Sequence, residues 1–452
     1  MRIALLALAL LATPALGSPQ STTLQGAPLA ADRATETARA TIAAEQERHV
    51  RLLERMVNQN SGTLNAAGVR AVGEMMRAEL EPLGFQVRWV DMTATGRSGH
   101  LIATHKGNGR GKRVLLIGHL DTVFEPSSPF QRFTRAGSRA VGPGVGDDKG
   151  GLVVIVAALR AMRTAGTLKG ADVTVVLTGD EERTGQPLEL ARRDLIEAGR
   201  NADAALEYEN LAVEQGRDYG TVARRSGGNW ELRTTGKTGH SSQVFGAGLG
   251  YGAVYEMARI LDAFRRELPE QYATYNVGVL AGGTPARLDA AGETATATGK
   301  TNIVPSEAVA RGDLRTLTPE QDARIRAKME AIVKQHLPGT GATLTFANTM
   351  PAMAPSEGNR ALLAELNAVN RELGLPEMPE LDPAKRGAAD SGFVAADVAT
   401  LGGLGMSGGG AHAEGEWADL DSIQRQALRS AVLIARLSKQ RRGPTQRAGA
   451  GR

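Results

Sequence analysis

Val114-Leu-Leu-Ile-Gly-His119-Leu-Asp121-Thr-Val123 is the stretch on which the fold turns. Four apolar residues in succession predict a strand buried on both faces, and the run stops at Gly118 in polar residues. Strands of this kind belong to open α/β sheets, where ligands bind beyond the carboxyl ends of the strands. His119 and Asp121 stand at such an end. Asp121 there would hold one ring nitrogen of His119, fixing its tautomer and raising its basicity toward a metal at the other. Taken alone, the pair more often marks a structural histidine at a strand end.

Two further apolar runs behave alike. Residues 171–178 predict a second buried strand that ends in Gly179-Asp180-Glu181-Glu182, and residues 204–206 a third that ends in Glu207-Tyr208-Glu209. Neighbouring strand ends lie about 5 Å apart, so these carboxylates would gather beside His119. Residues 207 and 209 share one strand face, and either could point inward. Between the first two runs comes Val141-Gly-Pro-Gly-Val-Gly-Asp147-Asp148-Lys149-Gly150-Gly151, then an apolar helix over 152–162. A phosphate-cradling loop is excluded: Gly-Lys-Ser/Thr is missing, no clear strand precedes it, and two aspartates would repel a phosphate. Carboxylates at that position suit a cation, although one of the two could serve as the helix N-cap. A further histidine stands in Gly408-Gly-Gly-Ala-His412, where glycines let backbone approach a site closely.

Around these segments the chain divides into two domains, as its 452 residues lead one to expect. Helices are predicted over 35–59, 65–83, 359–373 and 420–437, and strands over 85–90 and 100–104. Residues 230–347 read strand, helix, strand, strand, helix, strand, the ferredoxin-like order. The fold expected is therefore α/β: a mixed, mostly parallel sheet with helices on both faces, into which a ferredoxin-like α+β lid is inserted. The boundaries are a catalytic unit at 35–221 and 349–438 and a lid at 222–348.

The formal charge of +4 is a property of the ends. Arg2, Lys439, Arg441, Arg442, Arg447 and Arg452 outweigh it, leaving the body slightly acidic. No basic stripe with interleaved aromatics is present, which excludes a nucleic-acid partner. Arg2, the apolar run 3–12 and Ala15-Leu16-Gly17 read as a secretory signal peptide over 1–17, too short to span a bilayer. Export to the periplasm or beyond follows, with no integral membrane segment after signal removal, a disordered leader at 18–34 and a disordered basic tail at 439–452. With no cysteine in the chain, a metal must be held by His, Asp and Glu.

His119, Asp147, Glu182, Glu209 and His412 together form an N/O donor set that Zn²⁺ accepts in hydrolases. Five such ligands serve two metals about 3.5–4 Å apart if one carboxylate bridges. With Gly118-His119-Leu-Asp121-Thr-Val, Gly142-Pro-Gly-Val-Gly-Asp147-Asp-Lys-Gly-Gly, Asp180-Glu181-Glu182, Gly236-Lys-Thr-Gly-His240, Asn302-Ile-Val-Pro305 and the run to His412, the chain resembles the dizinc metallopeptidase superfamily. That superfamily includes carboxypeptidase G (glutamate carboxypeptidase), acetylornithine deacetylase and succinyl-diaminopimelate desuccinylase. The likeness covers about residues 40 to 438 and is strongest to the carboxypeptidase G branch, through Gly-Pro-Gly before Asp-Asp-Lys-Gly-Gly and a Glu at 209.

Carried across by motif, the resemblance implies two Zn²⁺ per subunit, with Co²⁺ or Mn²⁺ as other ions. His119 and Glu209 would hold one, Glu182 and His412 the other, and Asp147 would bridge. Asp121 would orient His119, and Glu181 would be the general base. Glu207 departs from the family pattern, leaving Glu207 or Glu209 as the ligand. The lid would mediate a homodimer, His240 would reach the partner's site to stabilise the oxyanion, and Asn302 and Arg315 would grip a substrate carboxylate. The implied reaction is amide hydrolysis in a small peptide or N-acyl amino acid, releasing a C-terminal, glutamate-type residue; deacylation or desuccinylation is the alternative. A carboxylate of pKa about 4.3 faces free water at about 15.7, a gap of about 15 kcal/mol that the metal has to narrow.

Two rival readings are weaker. Gly405-Met-Ser407-Gly-Gly formally matches a serine nucleophile elbow, but Gly409-Gly410-Ala-His412 follows where a helix is required, and no downstream Asp-then-His pair exists. A non-catalytic exported binding protein is compatible with the two-domain shape but not with Glu181 beside a full ligand set.

Overall fold

A computed structural model describes residues 32–442 apart from 290 and 291. The expected signal peptide, the leader up to residue 31 and the tail beyond 442 lie outside the described residues.

The larger sheet has six strands in the order Gln86–Asp91, Gly99–His105, Asp172–Thr178, Arg113–His119, Ala204–Glu207, Thr400–Leu401. Gly99–His105 alone runs against its neighbours, and the other strands are parallel. Alternate residues of Arg113–His119 serve opposite cores, as a period of two requires. Val114 and Leu116 pack with the helices Arg33–Ala44, Lys149–Thr164 and Ser422–Leu437, whereas Leu115 and Ile117 pack with Leu195 and Val394. Helices on both faces thus bury the central strands almost completely, the edge strand Gln86–Asp91 staying partly exposed, and the three parallel strand ends at His119, Thr178 and Glu207 lie side by side.

The region expected as one helix over 35–59 is two, Arg33–Ala44 and Gln46–Asn58. The break falls at Glu45, whose carboxylate is held by Arg160 at 2.6 and 2.5 Å. The inserted unit has the predicted order: strand Gly227–Gly236, helix Ala253–Glu267, strands Val279–Gly283 and Glu307–Arg315, helix Pro319–Val333 and strand Thr340–Met350. Its sheet is antiparallel, with Gly227–Gly236 between Thr340–Met350 and Glu307–Arg315 and the short strands Thr274–Tyr275 and Val279–Gly283 outside. Trp230, Leu232, Ile260, Phe264, Ile325 and Met329 form its own core. Gly227 pairs with Met350, so the insert leaves and re-enters the larger domain at one place.

A small second sheet was not anticipated. Thr134–Ala136, Arg139–Val141, Trp417–Asp419 and Gly408–Gly409 pair antiparallel, and they lay the loop 142–148 against the loop 409–416. Strands of two or three residues carry no readable periodicity, so a strand does precede the glycine loop without announcing itself. The C-terminal residues also differ from the expected loose tail as far as they are described. Arg442 pairs with Asp172 and donates to the Gly111 carbonyl, both at 2.8 Å. Among the described residues no helix is long and apolar enough to cross a membrane.

Candidate metal centre

His119 closes its strand with the ring buried. Its Nε2 lies 3.0 Å from Asp147 Oδ1, and its Nδ1 lies 3.1 Å from the Asp121 carbonyl and 3.4 Å from Asp121 Oδ1. Asp121 therefore meets the ring with its backbone oxygen more closely than with its carboxylate. The carboxylate is occupied elsewhere: it accepts from Thr63 Oγ1 at 2.6 Å and from the backbone N–H groups of Glu181 and Glu182 at 3.1 and 3.2 Å. One aspartate so fixes both the histidine and the acidic turn of the adjacent strand.

Asp147 faces two histidines with its two oxygens. Oδ1 meets His119, and Oδ2 lies 3.3 Å from His412 Nε2, which in turn is 3.1 Å from Glu182 Oε2. His119, Asp147 and Glu182 offer donor atoms all within 4.8 Å of one another. His412 adopts a left-handed backbone at φ 64°, two residues after the last glycine of the run, and its side chain is 59% exposed. Asp148 stands at the N-cap of Lys149–Thr164 but makes no side-chain cap; its Oδ2 accepts from the His119 N–H at 3.1 Å. Gly118 makes room for it, since a Cβ there would sit 2.6 Å from that oxygen.

The choice between Glu207 and Glu209 turns on Arg224, a buried guanidinium that sequence reading missed. Arg224 Nη2 lies 2.7 Å from both carboxylates, and its Nε adds a second bond to Glu207 at 3.1 Å. Glu207 is wholly buried behind that pairing, whereas Glu209 shares the electrostatic environment of Asp147 and His119. A second unforeseen residue is Glu416, 1% exposed. It accepts backbone N–H groups from Gly144, Gly146 and Asp147 at 2.9, 2.8 and 2.9 Å and so shapes the loop that carries Asp147. No periodicity marks either residue; only their closeness in sequence to Glu209 and His412 hinted at them.

The electrostatics are those of crowded acids around two imidazoles. Burial pushes Glu181 well up, His119 opposes, and Glu209, Glu182 and Asp390 add to the rise. Burial likewise lifts Glu209 to about 7 and raises Glu182, to which Asp147 contributes. Burial acts against charge on Asp147 too, but hydrogen bonds to His119 and His412 hold it well below the carboxylate range. Contacts with Asp147 and Glu182 raise His412 to about 10, and although burial pulls His119 down, its bonds to Asp121 and Asp147 leave it well above its ordinary value. His119, Asp147, Glu182 and His412 so placed form a nitrogen and oxygen donor set for a divalent cation, whereas the close contact of Glu209 is to Arg224.

The remaining expected residues lie on the insert. His240 is exposed, with Nδ1 2.8 Å from Ser242 Oγ, and its backbone bridges to Ile303, next to Asn302. Arg315 lies at the opposite end of Glu307–Arg315, paired with Asp313 at 3.1 Å and close to Gly387 of the larger domain. At roughly 3.3 Å per residue that strand alone separates its ends by about 26 Å, so Asn302 and Arg315 do not meet within one chain. Ser407 bonds through its N–H to Ser422 Oγ at 3.0 Å and through Oγ to Arg425 at 3.4 Å. Among the described residues no histidine bonds to Ser407, which leaves the serine-nucleophile reading without a base.

Comparison with known proteins agrees with the geometry. Residues 115–435 match Peptidase family M20/M25/M40. Carboxypeptidase G2 from Pseudomonas sp. (strain RS-16) is 28% identical over 399 residues, covering 86% of this chain and 89% of that protein. A succinyl-diaminopimelate desuccinylase from Novosphingobium aromaticivorans is 30% identical over 359 residues, covering 76% and 87%. Among solved structures, the aminopeptidase PepT from Bacillus cereus superposes with a TM-score of 0.70 at 19% identity, covering 87% of this chain and 99% of that one, a likeness of fold. The chain belongs to Peptidase family M20/M25/M40 and is a metal-dependent hydrolase.

Proposed function

We propose that this protein hydrolyses the amide bond of a small peptide or N-acyl amino acid and releases the C-terminal residue, using two divalent ions, zinc foremost. The observation that carries the reading is Asp147 directing one oxygen at each of two histidines, 3.0 Å from His119 Nε2 and 3.3 Å from His412 Nε2. That is the arrangement a bridging carboxylate needs. His119 and Glu209 would complete one ion's ligands, and Glu182 and His412 the other's. Ions held there supply Lewis acidity toward the carbonyl and lower the pKa of water.

The chain's own residues do the rest. Glu181, lifted by burial, takes the proton of the attacking water and delivers it to the leaving amine. Asp121 holds the Glu181 and Glu182 backbone in register with His119. Arg315, at the rim beside Gly387, offers a fork for the substrate carboxylate. His240 and Asn302 lie together on the insert, away from Arg315, and in this reading they complete the site of a second subunit and stabilise the oxyanion.

The test is a screen of N-acyl amino acids and dipeptides ending in Glu, Asp, Ala or Leu, run on metal-loaded protein and after chelation. Release of the C-terminal amino acid, abolished by chelator and restored by Zn²⁺, is expected. Succinyl or acetyl substrates cleaved in preference would move the reading to deacylation; no amide hydrolysed at all would refute it.

A further inference from the structure

The loop ending at Gly387 gathers four guanidinium groups, two of which, Arg224 and Arg386, bond to Glu209 or to the residue after it. Arg224 donates to the Gly387 carbonyl at 3.4 Å, and Arg225 donates to the Ala384 carbonyl at 3.1 Å. Arg315 lies so near that a Cβ on Gly387 would be 3.4 Å from its Nη1. Arg386, the fourth, stands on the loop itself, and its Nη2 bonds to the carbonyl of Asn210, the residue after Glu209. Arg224 is matched by Glu207 and Glu209, and Arg315 by Asp313.

Arg386 differs from those two; it differs too from Arg225, whose Nε is likewise buried without a partner, in bonding beside Glu209 rather than to Thr274 and Ala384. Among the described residues it contacts no carboxylate, its Nε is buried without a partner, and the residue is only partly exposed. Burial and the neighbouring Arg224 pull its pKa down to about 10, against the influence of Glu209, Glu207 and Asp147, so it remains charged at neutral pH. A desolvated guanidinium beside another cation, with donors to spare, is poised for an anion. A carboxylate is the anion whose geometry its fork matches.

We propose that Arg386 is a specificity-determining residue that receives a second carboxylate of the substrate, distinct from the one gripped at Arg315. The substrates favoured are then those whose released residue carries two acidic groups. This rests on the amide-hydrolase reading above and names the residue through which such a preference would act.

The experiment measures binding by calorimetry on metal-loaded protein, with glutarate and its mono-amide as probes. Wild type should bind glutarate about tenfold or more tightly than the mono-amide. In R386Q that preference should collapse by about ten- to hundredfold while affinity for the mono-amide is unchanged, and R386K, which keeps charge but not the fork, should fall between. Metal content and unfolding are followed in parallel. If R386Q proves unstable, R386K decides, and discrimination equal to wild type there overturns the proposal. Equal loss of both probes in metal-replete R386Q, or no preference in wild type, overturns it as well. Failure to cleave any N-acyl amino acid while the probe preference depends on Arg386 would instead remove the hydrolase reading and leave the anion site standing.

Discussion

Replacing Glu416 with Gln should weaken metal binding while leaving the metal-free fold nearly intact. The carboxylate touches no expected ligand side chain; it accepts the N–H groups of Gly144, Gly146 and Asp147. Burial, and then Asp147, raise its pKa from 4.5 to about 7. At pH 8 that shift corresponds to about 3 kcal/mol of charge penalty in the metal-free protein at 1.36 kcal/mol per unit. Cations bound beside Asp147 relieve most of that penalty, and a neutral amide forfeits the gain. Affinity should therefore fall by about ten- to hundredfold, since about 3 kcal/mol sets a ceiling near two decades. Gln keeps one acceptor oxygen and loses the charge penalty, so metal-free E416Q should unfold within about 1–2 kcal/mol of wild type. E416A, which strands three buried N–H groups, should lose about 3–6 kcal/mol. Competition against a chromogenic chelator at pH 8, with urea unfolding of both forms, reads each quantity. Wild-type metal affinity in E416Q would refute the reasoning.

E181Q should keep its metal and lose turnover by about 10²–10⁴-fold, as removal of a general base does; an active variant would exclude that role. Mixing H240A with E181Q tests whether one subunit completes the other. Each is expected to be nearly inactive alone, and the mixture should regain activity because a mixed dimer holds one intact site; no recovery in a proven mixed dimer would argue against a role in trans. Metal-free protein should lose stability as pH rises. Glu209, raised to about 7, disfavours the fold increasingly between about 4.5 and 7, and the stabilisation from His412, complete below about 6.5, is lost as pH passes through about 10. Urea midpoints from pH 5 to 10 should decline without metal and flatten with it; a flat metal-free profile would contradict these shifts.

Much of this site was legible because the larger domain puts its chemistry at the ends of uninterrupted apolar runs. His119, Glu182 and Glu209 each follow such a run within a few residues, so strand adjacency alone brought them together. Asp147 and His412 were legible as motif residues, but their meeting depends on strands too short to carry a pattern. Arg224, Arg386 and Glu416 were opaque for a different reason. A charged residue in a loop has no periodic signature, and its value comes from partners remote in sequence, such as Glu207 for Arg224. The resemblance gives Asn302 and Arg315 one substrate carboxylate to grip, but the nine-residue strand that ends at Arg315 keeps them apart within one chain.

The small four-stranded sheet has a consequence for biosynthesis. It joins residues near position 140 to residues near 417, so the loop bearing Asp147 finds its clamp only after some 270 further residues have been synthesised. A nascent chain stalled before that point could already have closed its central strands, yet it would lack one imidazole and the carboxylate that shapes the opposing loop. Assembly of the metal centre is thus tied to synthesis of residues 408–419, and a product ending before them would hold its central strands without the loop that faces Asp147.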